Sequence, residues 1–169
     1  MAIRKILQFP DLRLAQKSVA VDPASKVATS CAKDIIDTMR SMDNAAGLAA
    51  PQINEQLRIV GMYMDSTKQP TIFINPELSN LSEQQSTENE ACLSVDGATF
   101  SAAVTRPCSV TVTAYDINAK QFTLDLDDFY ARCIQHEIDH LNGVLFVDYL
   151  SRLKRNKLKA LINKRQAHA

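Results

Sequence analysis

The sequence predicts an α+β fold built as one domain over its 169 residues. Three observations predict it. Val27, Cys31, Ile35, Met39 and Met42 recur at helical spacing near the start. Val110, Val112 and Ala114 alternate with Ser109, Thr111 and Thr113, the period of a strand with one buried face. Phe129, Cys133, Ile134, Ile138 and Leu141 then form a second helical stripe, stopped by Asn142-Gly143.

The elements follow in order. Residues 1–22 read as an extended arm with a turn at Pro10-Asp11. Residues 23–43 read as a helix with Asp22 as its cap. The small residues of NAAGLAAPQ, 44–52, read as a loop. Residues 57–64 and 71–74 are strand-like, and Asn75-Pro76 ends the second of them in a turn. Residues 78–90 are polar and read as irregular, and 92–104 as short strands. Residues 109–115 and 121–126 pair as a hairpin across DINAK. A helix returns at 129–141, followed by a short apolar link at 144–147 and a final helix over 149–166. There is no repeat, low-complexity tract or linker, so the order is helix, antiparallel strands, then a motif-bearing helix.

Composition narrows the function. Net charge is zero, which gives no global field toward nucleic acid or a membrane surface. The opening MAIRKILQFPDLR is broken by Pro10 and Asp11 and does not read as a secretory signal. No apolar run approaches the roughly 20 residues that span a bilayer. Cys31, Cys92, Cys108 and Cys133 have no framework spacing and read as reduced thiols, which makes the cytoplasm the expected location.

The chemistry-bearing stretch is QHEIDHLNG, residues 135–143. His136 and His140 are four apart on the expected helix, so both imidazoles can reach one divalent ion. Glu137 adjoins the first and can take a proton from an attacking water. A catalytic metal usually has three protein ligands and an open position. The third must be an Asp, Glu, His or Cys elsewhere. His168 is a poor choice near the end of the sequence. Cys92, where a polar stretch meets an apolar one, would give a Cys-His-His set suited to iron(II) or zinc(II). Its plainer reading is a small buried hydrophobe, which is also the reading of Cys31, while Cys108 sits in or beside a strand.

GLAAPQ at 47–52, EACLS at 90–94 and QHEIDHLNG resemble, in that order, the signature motifs of the peptide deformylases, and FPDLRL near the start also fits. The resemblance covers essentially the whole chain. It implies a deformylase-like α+β fold, with antiparallel strands around a central metal-binding helix and a C-terminal helix. It implies hydrolysis of the N-formyl group from N-formylmethionyl nascent peptides. It also implies one ion per chain, iron(II), with zinc, nickel or cobalt as substitutes. Residue by residue, Cys92, His136 and His140 match the family's ligands, Glu137 its catalytic carboxylate and Gln52 its side-chain donor to the reacting oxygen. Leu93 falls where a backbone N–H faces the same oxygen, and Gly47 where the backbone contacts the substrate chain. Ala46, Ala91, Phe129, Arg132 and Cys133 fall at substrate-binding positions.

The sequence departs from the family's pattern in places. Ala45 stands for the first glycine of the first motif, Ala46 for a larger apolar residue, and Ala91 for the glycine of the second. No arginine follows the second motif until Arg106. Arg132, four before His136, replaces an apolar residue of the methionine pocket. Either its stem packs and its guanidinium reaches water, or it alters the pocket so that a carboxylate or an unusual side chain binds. Glu90, Arg106 and Asp139 read as charges that orient the ligands, or as a surface ion pair. Leu150, Leu153, Leu158, Leu161 and Ile162 predict one apolar face on the last helix. Residues 151–169 hold seven Lys or Arg and no acid. They are read as a solvated face or as a ribosome-docking surface near the exit tunnel. Other readings are a paralogue with altered N-acyl or N-terminal preference and a non-catalytic ribosome-associated module. A zinc endopeptidase would share His-Glu-x-x-His but would not need Cys92 with Gln52.

Overall fold

The structure, a computed structural model, describes residues 2–64 and 69–166. Its centre is a five-stranded antiparallel sheet in the order β1-β2-β3-β6-β7. The strands are β1 (Gly47–Ala49), β2 (Ile59–Tyr63), β3 (Pro70–Ser79), β6 (Ser109–Tyr115) and β7 (Gln121–Asp127). A separate hairpin pairs β4 (Gln85–Ala91) with β5 (Ser101–Pro107). The helices are α1 (Lys26–Arg40), α2 (Asp128–Leu141) and α3 (Arg152–Gln166). No helix among the described residues is long and apolar enough to cross a membrane.

Helices cover the sheet on both faces. Ala28, Ala32, Ile35 and Met39 of α1 pack with Leu48, Ile59, Ile72 and Ile74. Ala131, Ile134, Ile138 and Leu141 of α2 pack with Val60, Met62, Phe73 and Val112 on the other side. This is why β2 is an unbroken apolar run, whereas β6, covered on one face, alternates. Gly61 lets α1 approach closely, since a Cβ there would stand 2.7 Å from Ile35 Cγ2. A third apolar cluster joins Leu14, Cys92, Val95 and Val104 to Leu145, Phe146, Leu158 and Ile162, and so seats α3 against the hairpin.

Several expectations change. Asp22 is not the cap of α1: Ser25 accepts from the Ala28 N–H at 3.1 Å, and Val27 points outward at 58% exposure. NAAGLAAPQ is not only loop, because Gly47–Ala49 forms β1 and Ala50–Ile53 a 3₁₀ turn with Pro51 as its second residue, where a missing N–H costs nothing. Asn75-Pro76 does not end a strand. It is an irregularity inside β3, where Asn75 takes a positive φ and its side chain holds both the N–H and the carbonyl of Val21. Residues 85–91 form β4 despite their polarity, because that strand pairs only with β5 and buries little beyond Glu90. On α3 the apolar face is narrower than expected: Leu158 and Ile162 are buried, while Leu153 and Leu161 are exposed.

Candidate active site

Cys92 ends the β4 side of the hairpin, and His136 and His140 lie on α2. Their ligand atoms all fall within 4.8 Å of one another, and all three residues are buried. Cys92 is fixed by its own turn: its carbonyl accepts from the N–H groups of Val95 and Ala98 at 2.9 and 3.0 Å. The extended arm ties this turn to the first motif. Leu7 N–H donates to Gln52 O at 2.8 Å, Gln8 Nε2 to Leu93 O at 2.9 Å, and Phe9 N–H to Ser94 O at 2.7 Å.

The donor set fits a divalent cation. Cys92 Sγ lies 3.2 Å from His140 Nε2 with Gln52 Nε2 at 3.5 Å, so soft and borderline donors face one interior point. Burial pushes His140 well below its usual value, helped by His136 and Arg106, which keeps the imidazole neutral and its lone pair available. His136 turns its Nδ1 to Glu90 Oε2 at 2.9 Å, the hydrogen bond that orients a ligating imidazole.

Glu137 adjoins the site from α2. Burial pushes its carboxyl up to about 7, against the lowering effect of His136 and Arg106. A carboxyl poised there can take and return a proton near neutrality. Its Oε2 is buried with no hydrogen-bond partner among the described residues, and its Oε1 occupies the space a side chain at Gly47 would need, 2.5 Å from the Cβ position. Gln52 is held in one orientation. Its Oε1 accepts from Ala49 N–H at 2.8 Å, which leaves Nε2 to donate to Ser94 Oγ at 3.1 Å and to Cys92 Sγ.

Ala46, Gly47, Gln52, Ala91, Leu93, Phe129, Arg132, Cys133 and Glu137 all line one cleft with Cys92 and His136. His140 lies behind it. Ala45, which stands for the first motif's glycine, packs its methyl in the α1 cluster and not on the cleft lining. Arg132 does not reach water. It is 8% exposed, and Nη1 donates to Glu90 Oε1 at 2.7 Å and Val104 O at 3.0 Å, while Nη2 donates to Ser86 O at 2.9 Å and Ser86 Oγ at 2.8 Å. Glu90, Arg106 and Asp139 form a buried network, not a surface ion pair. Arg106 donates to both Glu90 oxygens, at 2.6 and 2.9 Å, and to Asp139 Oδ2 at 2.8 Å. Burial opposes the Glu90 charge, but His136 and Arg106 outweigh it and bring the carboxyl down to about 2. Sequence reasoning missed Glu88 and Asn89, which line the cleft from β4. The signal was present: Ser86, Glu88 and Glu90 are alternate residues on one face of that strand. His168 lies outside the described residues.

Comparison with known proteins decides the family. Residues 3–156 match the family model described as polypeptide deformylase. The chain belongs to the polypeptide deformylase family. It is 42% identical to a peptide deformylase of Stutzerimonas stutzeri over 165 residues, 97% of this chain and 96% of the relative. It is 40% identical to that of Saccharophagus degradans over 173 residues, 100% of this chain and 97% of the relative. Among solved deformylases, that of Legionella pneumophila superposes with a TM-score of 0.88 at 38% identity, covering 98% of this chain and 96% of the other. The Ehrlichia chaffeensis deformylase in complex with actinonin superposes with a TM-score of 0.90 at 31% identity, covering 98% of each. Membership makes the chain a metal-dependent deformylase, a hydrolase that removes N-formyl groups from nascent peptides.

Proposed function

We propose that residues 1–169 act as one catalytic domain on N-formylmethionyl peptides in the cytoplasm. Cys92, His136 and His140 hold one divalent ion, iron(II), which zinc, nickel or cobalt can replace. The convergence of one thiol and two imidazoles beside a buried, unpartnered Glu137 oxygen carries the reading. When bound, the ion acidifies the attacking water and polarises the formyl oxygen.

The chain's own residues do the rest. Glu137 takes the proton as the water oxygen attacks the formyl carbon, and later gives it to the departing amine nitrogen. The C–N bond breaks, and formate and a free N-terminus leave. Gln52 Nε2 and the Leu93 N–H donate to the developing oxyanion. The Ala49 N–H fixes the Gln52 amide so that Nε2 faces the site, and the N–H now directed at Cys92 Sγ is the one that passes to the oxyanion. Gly47, Ala46 and Ala91 flank the peptide backbone, and Phe129, Arg132 and Cys133 enclose the first side chain.

The test is formate release from formyl-Met-Ala-Ser set against acetate release from acetyl-Met-Ala-Ser, with iron loaded anaerobically. Formate from the first and no acetate from the second is the expected result. No formate at any metal loading, or cleavage inside the peptide, would contradict it. The basic α3 is the proposed contact with the ribosome, supported by its exposed Leu153 and Leu161 beside lysines and arginines. Such binding should weaken steeply with salt in co-sedimentation.

A further inference from the structure

The cleft wall around the first side chain is half apolar and half charged. Phe129, Arg132, Cys133 and His136 recur at three- and four-residue spacing, so they share the α2 face that lines the cleft. Glu88 and Glu90, alternate residues of β4, stand on the cleft wall with them. A guanidinium carries five N–H donors. The two on Arg132 Nη1 go to Glu90 and Val104, and the two on Nη2 go to Ser86. The remaining N–H is on Nε. Its neighbour is Glu88 Oε2 at 3.8 Å, beyond hydrogen-bond length, and the Glu88 side chain is 64% exposed. Arg132 lines the cleft with its guanidinium fixed by Glu90, Val104 and Ser86, and among the described residues Nε–H is left with Glu88, a carboxylate that water also solvates, as its neighbour.

We infer that Arg132 Nε–H determines specificity for the first side chain by donating to a neutral acceptor near its end, and that the preferred form is N-formylmethionine sulfoxide. The inference rests on the deformylase reading of the cleft. A carboxylate, the ligand first expected for an altered pocket, would have to share this N–H with the Glu88 carboxylate on the same wall, whereas a neutral acceptor adds no second negative charge there. A cationic side chain meets Arg132. A thioether sulfur is a weak acceptor. The sulfoxide keeps methionine's length and adds a polar, uncharged oxygen. Phe129 and Cys133 remain to cover its methylene groups.

The test compares kcat/KM for formyl-Met-Ala-Ser and its methionine-sulfoxide counterpart in the metal-loaded parent, Arg132→Met and Glu88→Ala. The parent should turn over the sulfoxide peptide more efficiently than the thioether, and a parent that favours the thioether overturns the inference. Arg132→Met should lower the sulfoxide-to-thioether ratio about tenfold, the effect of losing one charged hydrogen bond. Glu88→Ala should raise the ratio, because Nε–H loses its competing carboxylate. A purely structural role for Arg132 would depress both substrates together. A ratio unmoved by Glu88→Ala, an exposed position whose loss leaves the core intact, overturns the inference while formyl-Met turnover persists. Failure of the parent on both peptides overturns the deformylase reading itself, and this inference with it.

Discussion

Glu137→Gln should lower formate release by about 10³-fold or more while metal content stays at the parent's level. Glutamine keeps the shape of the side chain beside Gly47 but cannot take a proton from water or return one to the amine. Both proton transfers of the reaction fall on this one carboxyl, so both fail together. Burial already holds the group near the pKa at which it can serve both steps. Because Glu137 is outside the Cys92, His136 and His140 cluster, the metal should remain. Formate release by the metal-loaded variant under saturating substrate measures this. A variant retaining even a tenth of parental turnover would move the proton transfers to another group.

Glu90→Ala should have the largest effect on the frame. One carboxylate, 5% exposed, receives Arg106 Nε and Nη2, Arg132 Nη1 and His136 Nδ1. Removing it leaves two buried guanidiniums short of their anion, a loss of about 3–5 kcal/mol. It also frees the His136 ring, which should weaken metal binding by about 10–100-fold. Denaturant midpoints and competitive metal titration measure the two effects separately. Parental stability and parental metal affinity together would show that the network merely accompanies the site.

The candidate site was legible in the sequence where its members lie close together along the chain. His136, Glu137 and His140 lie on one helix, and Cys92, Gln52 and Gly47 lie in short motifs whose order carries the resemblance. The frame was less legible because its members are distant along the chain. Glu90 comes from β4, Arg106 from β5, and Arg132 and Asp139 from α2, so no local spacing announces their meeting. β4 itself was hidden because it pairs only with β5 and has no apolar alternation to betray it. The reading in which the Arg132 guanidinium reaches water failed for a related reason. A long cation on a helix usually extends to water, but here two strands close over it and present a carboxylate, two carbonyls and a hydroxyl. The fold class survived these local errors because the stripes on α1 and α2 and the alternation in β6 fix where the sheet and its covering helices must lie.

X-ray absorption at the metal edge of the loaded protein tests the central claim most directly. The account predicts one sulfur and two imidazole nitrogens around each ion, with the sulfur lost in Cys92→Ser. A shell without sulfur in the parent, or a Cys92→Ser protein with parental metal content and turnover, would contradict it.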